Sequence, residues 1–236
     1  KDLSPIQLLR ERVSARGKFM YQGNLYAARG SWRKFQPSNE DFMKNIKLPL
    51  SLGFYEAFLL GVFWADGHIY QSKSSRSLGL IGNSRDLDLS ANLNFYRDAV
   101  IPLLRAVFNV VDVNSMDYVV RRKTYGGAET YEYPSVEVHS AAICSWLIDD
   151  LGFAPPDTKM KNVRAIKFPS EWLRTSEAQA GFFAGMLAGM GTVNTNGTLS
   201  FQDVNRGIIN EINELAQNIG YHPSKVKQDD KRMWYI

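Results

Sequence analysis

Asp66 closes an apolar, small-residue-rich run, Leu59-Leu60-Gly61-Val62-Phe63-Trp64-Ala65-Asp66-Gly67. The run has helical length and ends in Gly ahead of the β-prone pair Ile69-Tyr70, so the carboxylate stands at a helix C-terminus. There it meets the negative end of the helix dipole, which costs a few tenths to about 1 kcal/mol. A divalent cation reverses that sign, because hard cations take carboxylate and carbonyl oxygens. Metal-assisted chemistry is what this residue type in this place points to. His68, two residues further on, could reach the same reacting group, but is read more plainly as a surface residue after the turn.

A weaker copy of the run returns as Phe182-Phe183-Ala184-Gly185-Met186-Leu187-Ala188-Gly189-Met190-Gly191, again followed by β-prone residues, Thr192-Val193. Gly61 and Ala65 in the first copy, like Ala184 or Gly185 and Ala188-Gly189 in the second, recur at three- or four-residue spacing on or beside one helix face. Backbones can approach closely along such a face. The two helices are therefore expected to pack on each other with their C-terminal ends side by side. The acid is not repeated: Met190 takes the place of Asp66, and no acid occurs between Glu177 and Asp203. Because a thioether does not hold Mg²⁺, the expected metal ligands are Asp66 and the carbonyls of Ala65 and Gly189. Trp64 and the Phe182-Phe183 pair read as core.

The elements that position these residues follow from periodicity and turn signals. Ser51 is expected to cap a helix over Phe54 to Ala65. Strands over 69–73 and 78–83, a helical stretch over 86–108 that Pro102 kinks or divides, and strands over 110–122 and 131–139 follow it. A helix over 141–151 then ends at Gly152. The second copy repeats the order: helix over 177–190, strands over 192–194 and 198–202 around Asn196-Gly197, helix over 206–219, and strands near 224–228 and 233–236. The fold class expected is α+β, two pseudo-symmetric αββαββα repeats packed through their motif helices, the second lacking its closing helix. The domain bounds expected are an N-terminal extension over 1–48, a first repeat over 49–154, a linker over 155–175 and a second repeat over 176–236. Within the extension, a short helix over 5–14, a hairpin-like stretch around Gly23-Asn24 and a linker over 37–49 are anticipated.

At its two motif runs the chain resembles the LAGLIDADG homing endonucleases. Leu59 to Gly67 reads LLGVFWADG against the family's nine-letter motif, and Ala184 to Gly191 reads AGMLAGMG against its last eight letters. The stretch containing Pro155-Pro156-Asp157-Thr158-Lys159 and Phe168-Pro169-Ser170-Glu171-Trp172-Leu173 looks like the joint of single-chain members. The resemblance implies antiparallel sheets forming a DNA-binding saddle, Mg²⁺ as cofactor, Asp66 as catalytic residue, and a double-stranded target of about 20 base pairs. It also implies that Asn83 and Gln202 position water. Where the family has a second acid this chain has Met190, which implies hydrolysis that is impaired or limited to nicking.

A sheet that reads DNA needs long polar residues on its exposed face. The candidates are Tyr70, Gln71, Lys73, Arg76, Arg121, Arg122 and Lys123 in the first repeat, and Asn194, Lys225, Lys227 and Lys231 in the second. Residues 1–48 add ten Lys/Arg against four acids, a balance of +6 in a chain of net charge +4. Aromatic residues interleave with them, and Arg29, Arg33 and Lys34 are the contacts expected there.

Composition excludes several alternatives. The chain has 236 residues, 44% of them hydrophobic, which suits one large core or two halves. No apolar run reaches the roughly 18 residues of a membrane span, and the first residues do not open a secretory signal. A single Cys144 and three His provide neither an internal disulfide nor a Cys/His zinc cluster, so a reducing, intracellular setting fits. Three classes survive: a metal-dependent DNA-cleaving or nicking monomer, an inactive nucleic-acid binder such as a maturase on intron RNA or a DNA-binding regulator, and a structural ribonucleoprotein component.

Overall fold

The computed structural model describes residues 18–21, 24–27, 46–71, 76–81, 93–110, 116–125, 129–153, 168–203, 205–229 and 234–236. The chain divides into two compact units, one of residues 1–50 with 69–150 and one of residues 51–68 with 151–236. The first motif helix is thus grouped with the second half of the chain. The anticipated helix over 5–14 and most of the linker over 37–49 lie outside the described residues.

In the first unit, strands β1 (Lys18–Tyr21) and β2 (Asn24–Ala27) form an antiparallel hairpin. Tyr21 pairs with Asn24, in keeping with the hairpin-like stretch anticipated there. The unit's main sheet has the order β3-β4-β6-β5, made of β3 (Gly67–Gln71), β4 (Arg76–Ile81), β5 (Met116–Tyr125) and β6 (Glu129–Val138). One face of it is core. Leu78 sits opposite Val138 and Leu80 opposite Val136, all four buried, as period-two alternation requires. Tyr118, opposite Val136 on the same face, has its phenol pushed up mainly by burial, and its O–H donates to the Leu93 carbonyl at 3.5 Å.

Among the described residues, β4 pairs with β6 from Leu78 with Val138 to Ile81 with Ser135, and β5 pairs with β6 out to Tyr125 and Glu129. A π-helical turn, Tyr96–Val100, runs into α2 (Ile101–Phe108). Pro102 comes one residue after that turn, and since Val100 (φ −65, ψ −49) and Ile101 (φ −63, ψ −47) are both right-handed helical, the helix is not divided there; the proline is accommodated beside the wider π-helical turn. Helix α3 (Ala141–Ser145) begins under Ser140, whose hydroxyl accepts from the Ile143 N–H at 3.2 Å, and continues as a π-helical turn, Trp146–Asp150. Phe108 and Trp146 meet edge-on at 5.7 Å in the core.

The second unit is built on α1 (Phe54–Asp66) and α4 (Ser176–Met190). Gly53, not Ser51, precedes α1, and its N–H donates to the Glu56 carboxylate at 3.1 Å. The side-chain partner comes from inside the helix, so a Ser just upstream was the wrong signal. Thr175 caps α4 by accepting from the Ala178 N–H at 3.1 Å. Strands β7 (Gly191–Val193), β8 (Leu199–Asp203), β9 (Lys227–Gln228) and β10 (Trp234–Tyr235) follow in the order β7-β8-β10-β9. This is the first-second-fourth-third order of the other sheet. Helix α5 (Arg206–Asn218) lies against β8 and β10 and buries Ile208, Ile209, Ile212 and Leu215. Each half runs helix, two strands, helix, two strands, and the fold class is α+β with antiparallel sheets.

Candidate metal and nucleic-acid site

Three glycines four residues apart, Gly181, Gly185 and Gly189, set the distance between α1 and α4. A Cβ at Gly181 would collide with the Phe54 carbonyl. At Gly185 it would collide with the Phe58 carbonyl and stand 2.9 Å from the Gly61 Cα, and at Gly61 it would stand 2.8 Å from the Met186 N. Only backbone fits there. Since Gly181 lies against Phe54 at one end and Gly189 against Ala65 and Asp66 at the other, the helices run parallel and finish together. The small-residue spacing in both runs anticipates this contact, and of the alternatives Ala184 or Gly185 and Ala188-Gly189 the structure puts Gly185 and Gly189 in it. Gly181 belongs to the same row and was missed, although its i, i+4 relation to Gly185 is plain in the sequence.

Aromatic side chains seal the flanks of the pair. Phe182 meets Trp64 at 5.8 Å and Phe168 at 5.0 Å, both edge-on, while Trp64 meets Phe153 at 4.9 Å. Trp64, Phe182 and Phe183 are buried, as expected of core residues.

Both helices leave in the same way. The Gly67 N–H donates to the Phe63 carbonyl and the Gly191 N–H to the Leu187 carbonyl, and each glycine is extended, so helix passes straight into strand. Carbonyls beyond Phe63 and Leu187 are past the reach of any intrahelical N–H. Two negative dipole ends of about half a charge each therefore converge where the Asp66 carboxylate stands. A Cβ at Gly189 would be 3.0 Å from Asp66 Oδ2, which places the carboxylate directly over the end of α4. Ala65, Asp66, Gly189 and Met190 are all half-buried. Met186, one turn earlier, is the methionine that fills the core. His68 is half-buried with Nε2 shielded from solvent, which corrects the expectation of a surface position.

This donor set suits one hard cation that keeps most of its waters, since Mg²⁺ is commonly held through one or two carboxylates. It does not supply a pair of ions. Among the described residues no group of three or more His, Cys, Asp or Glu gathers at one place.

No family model matches the chain, and no curated protein does. Among solved structures it is similar to full-length DUF199/WhiA from Thermatoga maritima, at 10% identity and a TM-score of 0.44, with 78% of this chain and 50% of that chain covered. The likeness is one of fold. This chain thus spans half the length of that protein. It is also similar to the N-terminal LAGLIDADG domain of DUF199/WhiA, at 10% identity and a TM-score of 0.41, covering 78% of this chain and 74% of that one.

The candidate nucleic-acid contacts fall into three groups. In the second unit, Gln202 pairs with Tyr235, which pairs with Lys227, so pleating puts these three in one row on the face opposite the buried Phe201. Gln202 and Lys227 are exposed, and Gln202 Nε2 donates to Asp229 at 3.1 Å. Asn194 and Lys225 are exposed as well, Asn194 at a turn whose Gly197 has φ +80. In the first unit, Tyr70 is 49% exposed, and Gln71 and Arg76 belong to β3 and β4. Arg121, Arg122 and Lys123 of β5 pair with Tyr133, Glu132 and Tyr131 of β6. Arg29, Arg33, Lys34, Lys73, Asn83 and Lys231 lie outside the described residues.

Proposed function

We propose that the chain is a sequence-specific, double-stranded-DNA-binding protein of the LAGLIDADG type whose phosphodiester chemistry is reduced to a single-carboxylate remnant. The observation that supports this most directly is the asymmetry at the paired helix ends. Asp66 stands over Gly189, and the position equivalent to Asp66 is Met190. A two-ion site steadies both the attacking and the leaving oxygen of a phosphodiester. One carboxylate with backbone carbonyls favours at most one ion, hence a single-strand nick or binding alone. Both motif helices come from one chain, which favours action as a monomer on a site of about 20 base pairs.

The row of exposed Gln202, half-buried Tyr235 and exposed Lys227 offers what base edges and phosphates need, a bidentate amide, a flat ring and a cation. Mg²⁺ would be held by Asp66 and the carbonyls of Ala65 and Gly189, supplying Lewis-acid assistance to a bound phosphate. The decisive experiment is incubation with Mg²⁺ and a supercoiled plasmid carrying the joined flanks of the host gene. A gel shift with nicked product, or with none, agrees with the proposal. Linear product would overturn the reading of Met190, and a shift confined to intron RNA would move the function to that of a maturase.

A further inference from the structure

Gln202 lies on β8 and Asp229 directly follows β9, with β10 between the two strands. Gln202 Nε2 donates to Asp229 Oδ2 at 3.1 Å, a bond between residues 27 apart that reaches across β10. Phe201 points to the buried side of this sheet, so Gln202 and the bond it makes lie on the open side, with Tyr235 and Lys227. The middle strand is held from the other side. Trp234, paired with Asp203 and Gln228, has the Arg206 guanidinium 4.6 Å over its ring. A carboxylate on a face turned toward phosphates works against affinity through its charge. It supplies direction instead.

A primary amide is nearly symmetric in shape, and turned over it exchanges its acceptor for its donors. A carboxylate accepts hydrogen bonds, so only the Nε2 end of Gln202 can face Asp229. That fixes the orientation of the amide and commits one of its two N–H groups, leaving the other N–H and the carbonyl oxygen to meet a ligand. Adenine presents N7 as an acceptor and its N6 amino group as a donor, which one N–H and one carbonyl satisfy together. Guanine presents two acceptors, N7 and O6, which would need both N–H groups. We infer, resting on the double-stranded-DNA binding proposed above, that Asp229 is a specificity-determining positioning residue. By holding one N–H of Gln202 it makes that side chain a reader of adenine and turns it away from guanine.

The test uses the full chain to select bound duplexes from a randomised double-stranded DNA pool, and locates the position read by Gln202 as the one whose preference changes in Gln202→Ala. There wild type is expected to favour adenine over guanine by about tenfold or more, the size of one bidentate contact. Asp229→Asn, whose amide can donate as well as accept, and Asp229→Ala should bring that ratio down to about threefold or less and leave the other positions as they were. Asp229→Glu, again an acceptor only, should restore part of the preference. A ratio measured on one preparation does not depend on its folded fraction, so a variant that folds poorly still answers. An unchanged ratio in Asp229→Asn and Asp229→Ala, or a Gln202→Ala that changes no position, would overturn the inference while DNA binding stands. Variants that bind every duplex more tightly by one common factor would make Asp229 a repelling charge alone, and overturn it as well. Wild type that enriches no sequence would overturn both the sequence-specific binding and the inference.

Discussion

Gly189 lies against Asp66, so close that a side chain at position 189 would begin 3.0 Å from Asp66 Oδ2. The sole carboxylate of the paired helix ends is thereby set over the backbone of the opposite helix rather than beside a second acid. Its effect on ions is the first thing to measure. Mg²⁺ or Ca²⁺ titrated into the protein and followed calorimetrically should bind weakly to wild type and not measurably to Asp66→Asn. Equal affinity in the two proteins would remove Asp66 as a ligand.

The helix contact predicts a stability effect of definite sign. Gly185→Ala places a methyl group against the Phe58 carbonyl and the Gly61 Cα, both backbone, which cannot rotate away. Despite alanine's better helix propensity, a loss of about 2 kcal/mol or more is expected, read as a lower urea midpoint. A gain in stability would mean the helices separate easily.

Phe182 is the hub of the aromatic packing, edge-on to both Trp64 and Phe168. Phe182→Ala should cost about 3–5 kcal/mol, the range for a large buried aromatic. Thermal unfolding monitored by circular dichroism would show it. A loss below about 1 kcal/mol would mean that the neighbouring rings collapse into the space.

On the sheet of the second unit, Lys227→Ala should weaken DNA binding about equally for all sequences and lower the slope of log affinity against log salt by about one. Gln202→Ala, one strand further, should instead change which bases are preferred. Binding assays across a salt series and a set of mutated sites separate the two. An unchanged slope in Lys227→Ala would take that residue off the phosphates.

Much of this architecture was legible from residue type and spacing. The close approach of α1 and α4 followed from Gly61 and Ala65 with Ala184 or Gly185 and Ala188-Gly189, because small residues at helical spacing have few other uses; which of the second set make the contact did not follow. The Asn196-Gly197 turn was equally plain, since Gly197 adopts the left-handed conformation that only glycine takes cheaply. Local signals failed where the answer depended on a partner elsewhere. The start of α1 is fixed by Glu56 reaching back, so Ser51 misled. Positions of long polar residues along β3 to β5 could be guessed, but which face they share depends on register. That register is set by pairs such as Leu80 with Val136, distant in the chain. The bond from the Phe168 N–H to the Glu211 carboxylate was invisible because the two are 43 residues apart.

The glycine contact between α1 and α4 has one more consequence. A joint made of backbone meeting backbone contains nothing that titrates and nothing that counterions can screen, so acidity and ionic strength leave it unchanged. The acidic side chains stand at its two ends, Glu56 and Glu177 in the first turns and Asp66 at the far tip. A change of side chain at either end therefore leaves the joint shut. The same frame thus carries a carboxylate at 66 and a thioether at 190.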